Sequence, residues 1–230
     1  MLGIYILLVI AILPVFLIGK YVYKKDIDKE PVKMLRRTFI LGCISVVPAF
    51  IFELAFDHFF PSKYMITDFE IFLSIFVGVA LIEEFCKWFM VMVSVYQNNE
   101  YNDFYDGIVY CVFSALGFAC IENILYVFSL GITTGLLRGV LSVPSHVCDG
   151  IIMGYFLSCA KRESKKSKIL ECIYIVCSVL FPFLIHGMYD YFITIGDTSS
   201  TVAFFTLVVL IYIICIFLIK NVSKNDVRII

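Results

Sequence analysis

Charge is what this sequence lacks. Asp, Glu, Lys and Arg make up 16% of its 230 residues, against about 25% in an ordinary soluble domain. With 61% hydrophobic residues and a mean hydropathy of +0.96, too little polar surface is left to cover a soluble globule. The formal net charge of −1 gives no electrostatic footprint for nucleic acid. No Cys-x-x-Cys pair occurs among the nine cysteines (43, 86, 111, 120, 148, 159, 172, 177 and 215), and their number is odd. A disulfide framework or zinc ribbon is therefore not expected, and the thiols read as small apolar fillers. Internal repeats and low-complexity tracts are absent. No polar stretch is long enough for a separate soluble domain, so residues 1–230 read as one integral membrane domain.

What the chain has is long apolar runs. A membrane-spanning helix needs about 20 mostly apolar residues, and seven segments qualify: 2–22, 38–57, 69–96, 107–130, 137–160, 170–195 and 201–219. The runs are continuous rather than alternating, which excludes a β-barrel. The first run has no basic residue before it and Lys20, Lys24 and Lys25 after it. A secretory signal has the opposite polarity, so this run is read as a permanent first span. The expected fold is an all-α polytopic bundle of about seven spans.

Basic residues set its orientation. Connector 20–37 holds seven of them, connector 161–168 holds Lys161, Arg162, Lys165, Lys166 and Lys168, and the tail holds Lys220, Lys224 and Arg228. Seven spans put all three segments on one side, which becomes the cytoplasm, with the N-terminus outside and the C-terminus inside. The acidic connector 97–106 does not disturb this, because carboxylates contribute little to the rule.

The informative charges are those inside the spans, where each costs about 2.5–3.5 kcal/mol on insertion scales. Glu83 and Lys87 in the third span are four apart and share a helix face; Glu84 points away and needs another partner. Glu122 and Asn123 lie deep in the fourth span, Asn123 as a candidate interhelical clamp. In the fifth, His146 is followed by Asp149, placed to orient its ring, and Gly150-x-x-x-Gly154 offers a small-residue face for a neighbouring helix. In the sixth, His186 and Asp190 are four apart, so that Asp190 can fix the His186 tautomer. At 1.5 Å per residue, Glu122 lies ~12 Å, His146 and His186 ~13 Å and Glu83 ~20 Å from the outer ends of their spans. They can share one level in the outer half of the membrane and enclose a polar cavity. Glu53 and Asp57 in the second span fall outside this grouping.

Carboxylates and imidazoles around a buried water are the parts of a hydrolase. A desolvated Glu takes and returns a proton, and a His polarises a carbonyl or holds an oxyanion. No Ser or Cys with an adjacent base is evident, so water is the expected nucleophile. No His-Glu-x-x-His is present, and the site is expected to be metal-free. If zinc binds, its ligands are expected to be Glu83, Glu122, His146 and His186.

The order Glu83-Glu84-x-x-Lys87, Phe118-x-x-x-Glu122, His146 and His186-x-x-x-Asp190 resembles the PrsW family of intramembrane proteases, itself similar to the CAAX prenyl endopeptidases. The likeness spans roughly residues 70–195. Lys87 and Glu122 favour the PrsW branch over the prenyl-peptidase branch. The resemblance implies a bacterial plasma-membrane protease that makes the first, extracytoplasmic-side cut in a single-span anti-sigma factor, activating a sigma factor in a stress response. It implies Glu83 and Glu84 as catalytic acids, completed by Glu122, His146 and His186, with Lys87, Asp190, Asp149 and Asn123 in support. The same polar residues would also serve a proton-coupled transporter or channel, or a non-catalytic binding protein on the same scaffold.

Overall fold

The apolar runs become helices, because backbone N–H and C=O groups in lipid must be satisfied within the segment. The computed structural model describes residues 2–65 and 67–229. Its helices are α1 (Leu2–Lys25), α2 (Val32–Phe59), α3 (Asp68–Ile75), α4 (Leu81–Val91), α5 (Phe104–Leu130), α6 (Ile132–Val140), α7 (Ser142–Glu163), α8 (Lys168–Ile195) and α9 (Thr198–Lys224). Among the described residues there is no strand, only an isolated bridge between Asp103 and Arg228. The all-α membrane fold expected from sequence is the one observed.

Six helical segments are long and apolar enough to cross a membrane: Gly3–Lys25, Val32–Tyr64, Phe104–Leu130, Ile132–Glu163, Lys168–Ile195 and Thr198–Lys224. The third expected span, 69–96, is helical but interrupted. A π turn (Phe76–Ala80) joins α3 to α4, and a second (Met92–Tyr96) follows α4. Each π turn inserts an extra residue into the helical ladder and so resets which face of α4 meets its neighbours. The short α3 starts at a capping box, in which Thr67 Oγ1 accepts from the Glu70 amide and Glu70 Oε2 accepts from the Thr67 amide.

The fifth expected span also differs. The helical stretch from 132 breaks at Leu141 into the short amphipathic α6 and the long α7. Pro144 cannot donate to the Val140 carbonyl and would clash with it. The Val140 carbonyl accepts instead from the Tyr212 hydroxyl on α9 at 3.0 Å, and the same hydroxyl lies 2.9 Å from the Leu141 oxygen, which also accepts from the Ser145 amide.

The core of the bundle is α5 and α7. The apolar windows of their spans are 72% buried, against 17% for those of α1, α2 and α8; the outer helices turn Val9, Phe16, Ile213 and Phe217 outward. α5 and α7 meet through small residues. A Cβ on Gly154 would stand 2.3 Å from the Gly107 carbonyl oxygen, and one on Gly150 would stand 3.0 Å from that of Cys111. The face read from Gly150 and Gly154 is thus the face on which α5 approaches. A similar contact brings α2 onto α5, where a Cβ on Gly117 would lie 2.1 Å from the Phe39 oxygen.

The basic connectors gather at one end of the bundle. There the Ser223 hydroxyl donates to the Lys25 carbonyl, the Tyr105 hydroxyl donates to that of Val22, and the Phe104 amide donates to that of Val227. The intramembrane acids and histidines lie toward the other end.

Candidate active site

α4 delivers three charged side chains in five residues. Lys87 Nζ donates to Glu84 Oε1 at 2.6 Å and lies 3.4 Å from Glu83 Oε2. Glu84 and Lys87 are 0% and 1% exposed, so each supplies the counter-charge the other needs in a low-dielectric interior. Glu84, read as pointing away from Lys87, is in fact its closer partner. Its remaining partner is His186 of α8, whose Nδ1 lies 2.8 Å from Glu84 Oε1. The other His186 nitrogen faces Asp190 Oδ2 at 3.2 Å and Glu83 Oε2 at 3.9 Å. The one-turn spacing of His186 and Asp190 thus produces the contact read from it.

α7 brings His146 to the same centre. Its Nδ1 is 3.1 Å from Lys87 Nζ and its Nε2 is 2.8 Å from Glu122 Oε2 on α5. The ammonium can only donate, so the His146 proton sits on Nε2 and points at Glu122. The His146 and His186 rings meet edge-on, with centroids 5.2 Å apart. Phe118, one turn before Glu122, places its ring 4.3 Å from Lys87 Nζ, which gives the aromatic position of the Phe-x-x-x-Glu motif a physical task.

Glu122, Asn123 and Arg138 form a second layer of contacts. Arg138 Nη2 reaches Glu122 Oε2 at 2.8 Å, and Arg138 Nε donates to Asn123 Oδ1 at 3.3 Å. Asn123 Nδ2 donates to the Ala11 carbonyl at 2.9 Å, clamping α5 to α1. Arg138 was not singled out by sequence reasoning, although a lone guanidinium in an apolar stretch carries the same insertion cost as the acids.

Asp149 differs from expectation. It does not orient His146, whose two nitrogens are already engaged by Lys87 and Glu122. Both Asp149 oxygens are buried without a hydrogen-bond partner. Asp149 lines a cavity of about 690 Å³ together with Glu83, Glu122, His146, His186 and Asp190. Glu53 lines it too, so α2 adds a carboxylate that had no place in the sequence grouping. Asp57 stays outside, accepting from the Ser62 amide at 2.9 Å. Glu84 is not part of the cavity lining; it stands behind Glu83.

One ligand atom each from Glu83, Glu84, His146 and His186 lies within 4.8 Å of the others, the one such group among the described residues. Two carboxylates and two imidazoles suit zinc. Glu83 Oε2 and Glu84 Oε2 are buried and lack hydrogen-bond partners, so the donor set fits a divalent ion. Glu84 takes the place in this set that sequence reasoning gave to Glu122, which stands behind His146 on its far nitrogen.

Comparison with known proteins agrees with this geometry. Residues 30–219 match the sequence model of the "PrsW family intramembrane metalloprotease". Protease PrsW of Oceanobacillus iheyensis is 39% identical over 218 residues, covering 94% of this chain and 96% of the relative. Protease PrsW of Bacillus subtilis is 36% identical over 185 residues, covering 80% and 81%. Protease PrsW of Clostridioides difficile is 32% identical over 212 residues, covering 90% and 87%. No solved structure matches the chain. The chain therefore belongs to the PrsW family and is a multi-pass bacterial membrane protease.

Proposed function

We propose that this protease makes the first, extracytoplasmic-side cut in a single-span, membrane-anchored anti-sigma factor, and so activates a sigma factor in a stress response. The observation that carries the hydrolytic reading is the convergence of Glu83, Glu84, His146 and His186 beside a cavity inside a lipid-embedded bundle. The side of the cut rests on charge. Glu122 stands ~12 Å from the end of α5 that is remote from the basic connectors, which supports a site in the outer half with those connectors facing the cytoplasm.

Glu83 is the group that takes a proton from water. It lines the cavity, and its Oε2, 3.4 Å from Lys87 Nζ, accepts no hydrogen bond. Lys87 and His186 hold Glu84 behind it, fixing α4 against α8. The His186 N–H that faces Asp190 at the cavity wall turns to the carbonyl oxygen of the scissile peptide as negative charge develops there. Glu84, on the other nitrogen of that ring, supplies the counter-charge to the protonated imidazole. The proton held by Glu83 passes to the leaving amine.

The four converging donors favour a metal-bound form of this site over the metal-free one expected from sequence, and in that form Glu83 and His186 would serve as ligands rather than as free base and donor. A divalent ion held by Glu83, Glu84, His146 and His186 would lower the pKa of a bound water and polarise the substrate carbonyl. Lys87, which occupies part of this donor shell, then keeps Glu84 charged and oriented.

Purified protein, assayed for metal and for cleavage of a single-span anti-sigma factor, tests the reading. Wild-type protein should cut on the extracytoplasmic side of the substrate span, and Glu83→Ala should not. Cutting by Glu83→Ala at the wild-type rate would refute the assignment of the base. Cutting confined to the cytoplasmic side would refute the orientation.

A further inference from the structure

The opposite end of the bundle holds a second cavity, of about 380 Å³, between the end of the third helical run and the α7–α8 turn. Its size falls within the range of about 300–1,000 Å³ typical of small-molecule sites. Lys161, Lys165 and Lys168 line it with Asn98, Ser164 and Glu171. The one carboxylate in the lining, Glu171, is taken by Lys168, whose Nζ donates to it at 2.6 Å. Three lysines against one glutamate leave the lining with two positive charges.

Lys161 is the unusual member. It is 7% exposed, and its ammonium donates to the Tyr96 and Asn98 carbonyls at 2.6 and 3.2 Å while standing 4.3 Å from the Tyr101 ring centroid. Carbonyl dipoles and a π face orient an ammonium but do not neutralise it. Among the described residues no carboxylate lies within 4 Å of Lys161 or Lys165; the neighbouring Glu163 pairs with Arg162 and Lys166. A buried cation without a counter-charge is costly, and an anion in the cavity relieves that cost. The long α8 begins at the cavity rim, with its positive dipole end at Ser167.

We propose that this basic cavity binds the phosphodiester headgroup of an anionic phospholipid. Its position selects a lipid over free phosphate. It opens at the ends of α7, α8 and the interrupted third helical run, and within about one or two turns along the same elements Val93, Leu170 and Ile173 turn apolar side chains outward, 58%, 41% and 49% exposed. An acyl chain attached to the headgroup would lie along them. Basic pockets between helices at the cytoplasmic boundary recognise headgroups in this way.

The test uses the full chain in detergent, with bound lipid counted by native mass spectrometry and thermal unfolding followed in parallel. The probes are phosphatidylglycerol, phosphatidylcholine and inorganic phosphate. Wild-type protein should retain phosphatidylglycerol and unfold several degrees higher with it, and phosphatidylcholine and phosphate should do neither. The exposed pair Lys165→Gln/Lys168→Gln, chosen because Lys161 also holds backbone carbonyls, should bind phosphatidylglycerol at least tenfold more weakly. Lys20→Gln/Lys24→Gln, which removes the same charge from α1, should bind it as wild type does. Equal weakening by both pairs would reduce the effect to non-specific charge attraction and overturn the site. Equal stabilisation by inorganic phosphate would overturn the lipid assignment, and unchanged binding by the Lys165/Lys168 variant would overturn both.

Discussion

Glu84 Oε1 lies 2.8 Å from His186 Nδ1, across 102 positions of chain. The same oxygen accepts from Lys87 Nζ at 2.6 Å, so this carboxylate ties α4 to α8 and carries the Lys87 charge to the centre of the bundle. Removing it changes both the site and the packing of two spans. Glu84→Gln should lower cleavage by roughly 10²–10³-fold with the protein still inserted in the membrane. Glu84→Ala, which leaves Lys87 buried beside only the more distant Glu83, should also lose about 3–5 kcal/mol of stability. Normal turnover by Glu84→Gln, measured on inserted protein, would remove Glu84 from the machinery. His186→Ala should match Glu84→Gln in activity.

Chelation separates the two accounts of water activation. 1,10-Phenanthroline should abolish cleavage, and zinc added back in equimolar amount should restore it. Glu83→Ala and His186→Ala should each lower the metal content of purified protein. Full activity in protein shown to hold no metal would leave Glu83 and the histidines to act alone.

Arg138 reaches Glu122 at 2.8 Å and Asn123 at 3.3 Å, and through Glu122 it acts on His146. Arg138→Gln should lower kcat about 10-fold with little change in KM and displace the pH profile of kcat, because the Glu122 charge seen by His146 is no longer shared. Arg138→Lys, which restores charge without the planar fork, should recover part of the loss. A fall in stability with an unmoved pH profile would make Arg138 a purely structural clamp.

Close packing of α5 on α7 leaves no room at Gly154, where a Cβ would meet the Gly107 oxygen at 2.3 Å. Gly154→Val should destabilise the protein by more than the usual 1–3 kcal/mol of an overpacked site, because backbone rather than a movable side chain is in the way. Gly3→Val, where a Cβ meets nothing within 4 Å, is the control and should leave the melting temperature unchanged.

Between α1 and α2, burial raises the Glu30 carboxyl from 4.5 to about 9 and that of Asp26 from 3.8 to about 6. A carboxyl raised in the folded state stabilises the fold fully below its unfolded pKa, and that stability is lost as pH rises through the folded value. Melting temperature should therefore fall between pH 5 and 9. Glu30→Gln keeps a neutral partner for the Tyr110 hydroxyl, which Glu30 Oε2 accepts from, so it should raise the melting temperature at pH 8 and flatten the slope. An unchanged slope would mean that Glu30 is not the group responsible.

Much of this site was legible in the linear chain because lipid makes polar residues costly. Glu83, Glu84, Lys87, Glu122, His146 and His186 stand out in apolar runs by that cost alone, and helical spacing pairs Glu83 with Lys87 and His186 with Asp190. Spacing within one helix says nothing about the helix that will face it. For that reason the contact of Glu84 with His186 is invisible in the chain, and so is the placing of Glu122 rather than Asp149 on the His146 ring; the Glu84–Lys87 pair, three apart on one helix, is legible there. Arg138 and Glu53 carried the same cost signal, but they lie near span ends, where a charge can also reach water.

The sequence by itself determined that the chain is a lipid-embedded helical bundle, and which side chains must turn inward, because both follow from local hydropathy and backbone hydrogen bonding. Tertiary structure decided how those side chains meet. The glycine contacts that draw α7 and α2 onto α5, and the contacts of Glu84 with His186 and of Lys87 with His146, act between distant segments. A cluster with ligand atoms within 4.8 Å of one another is fixed by those contacts, which no local pattern records.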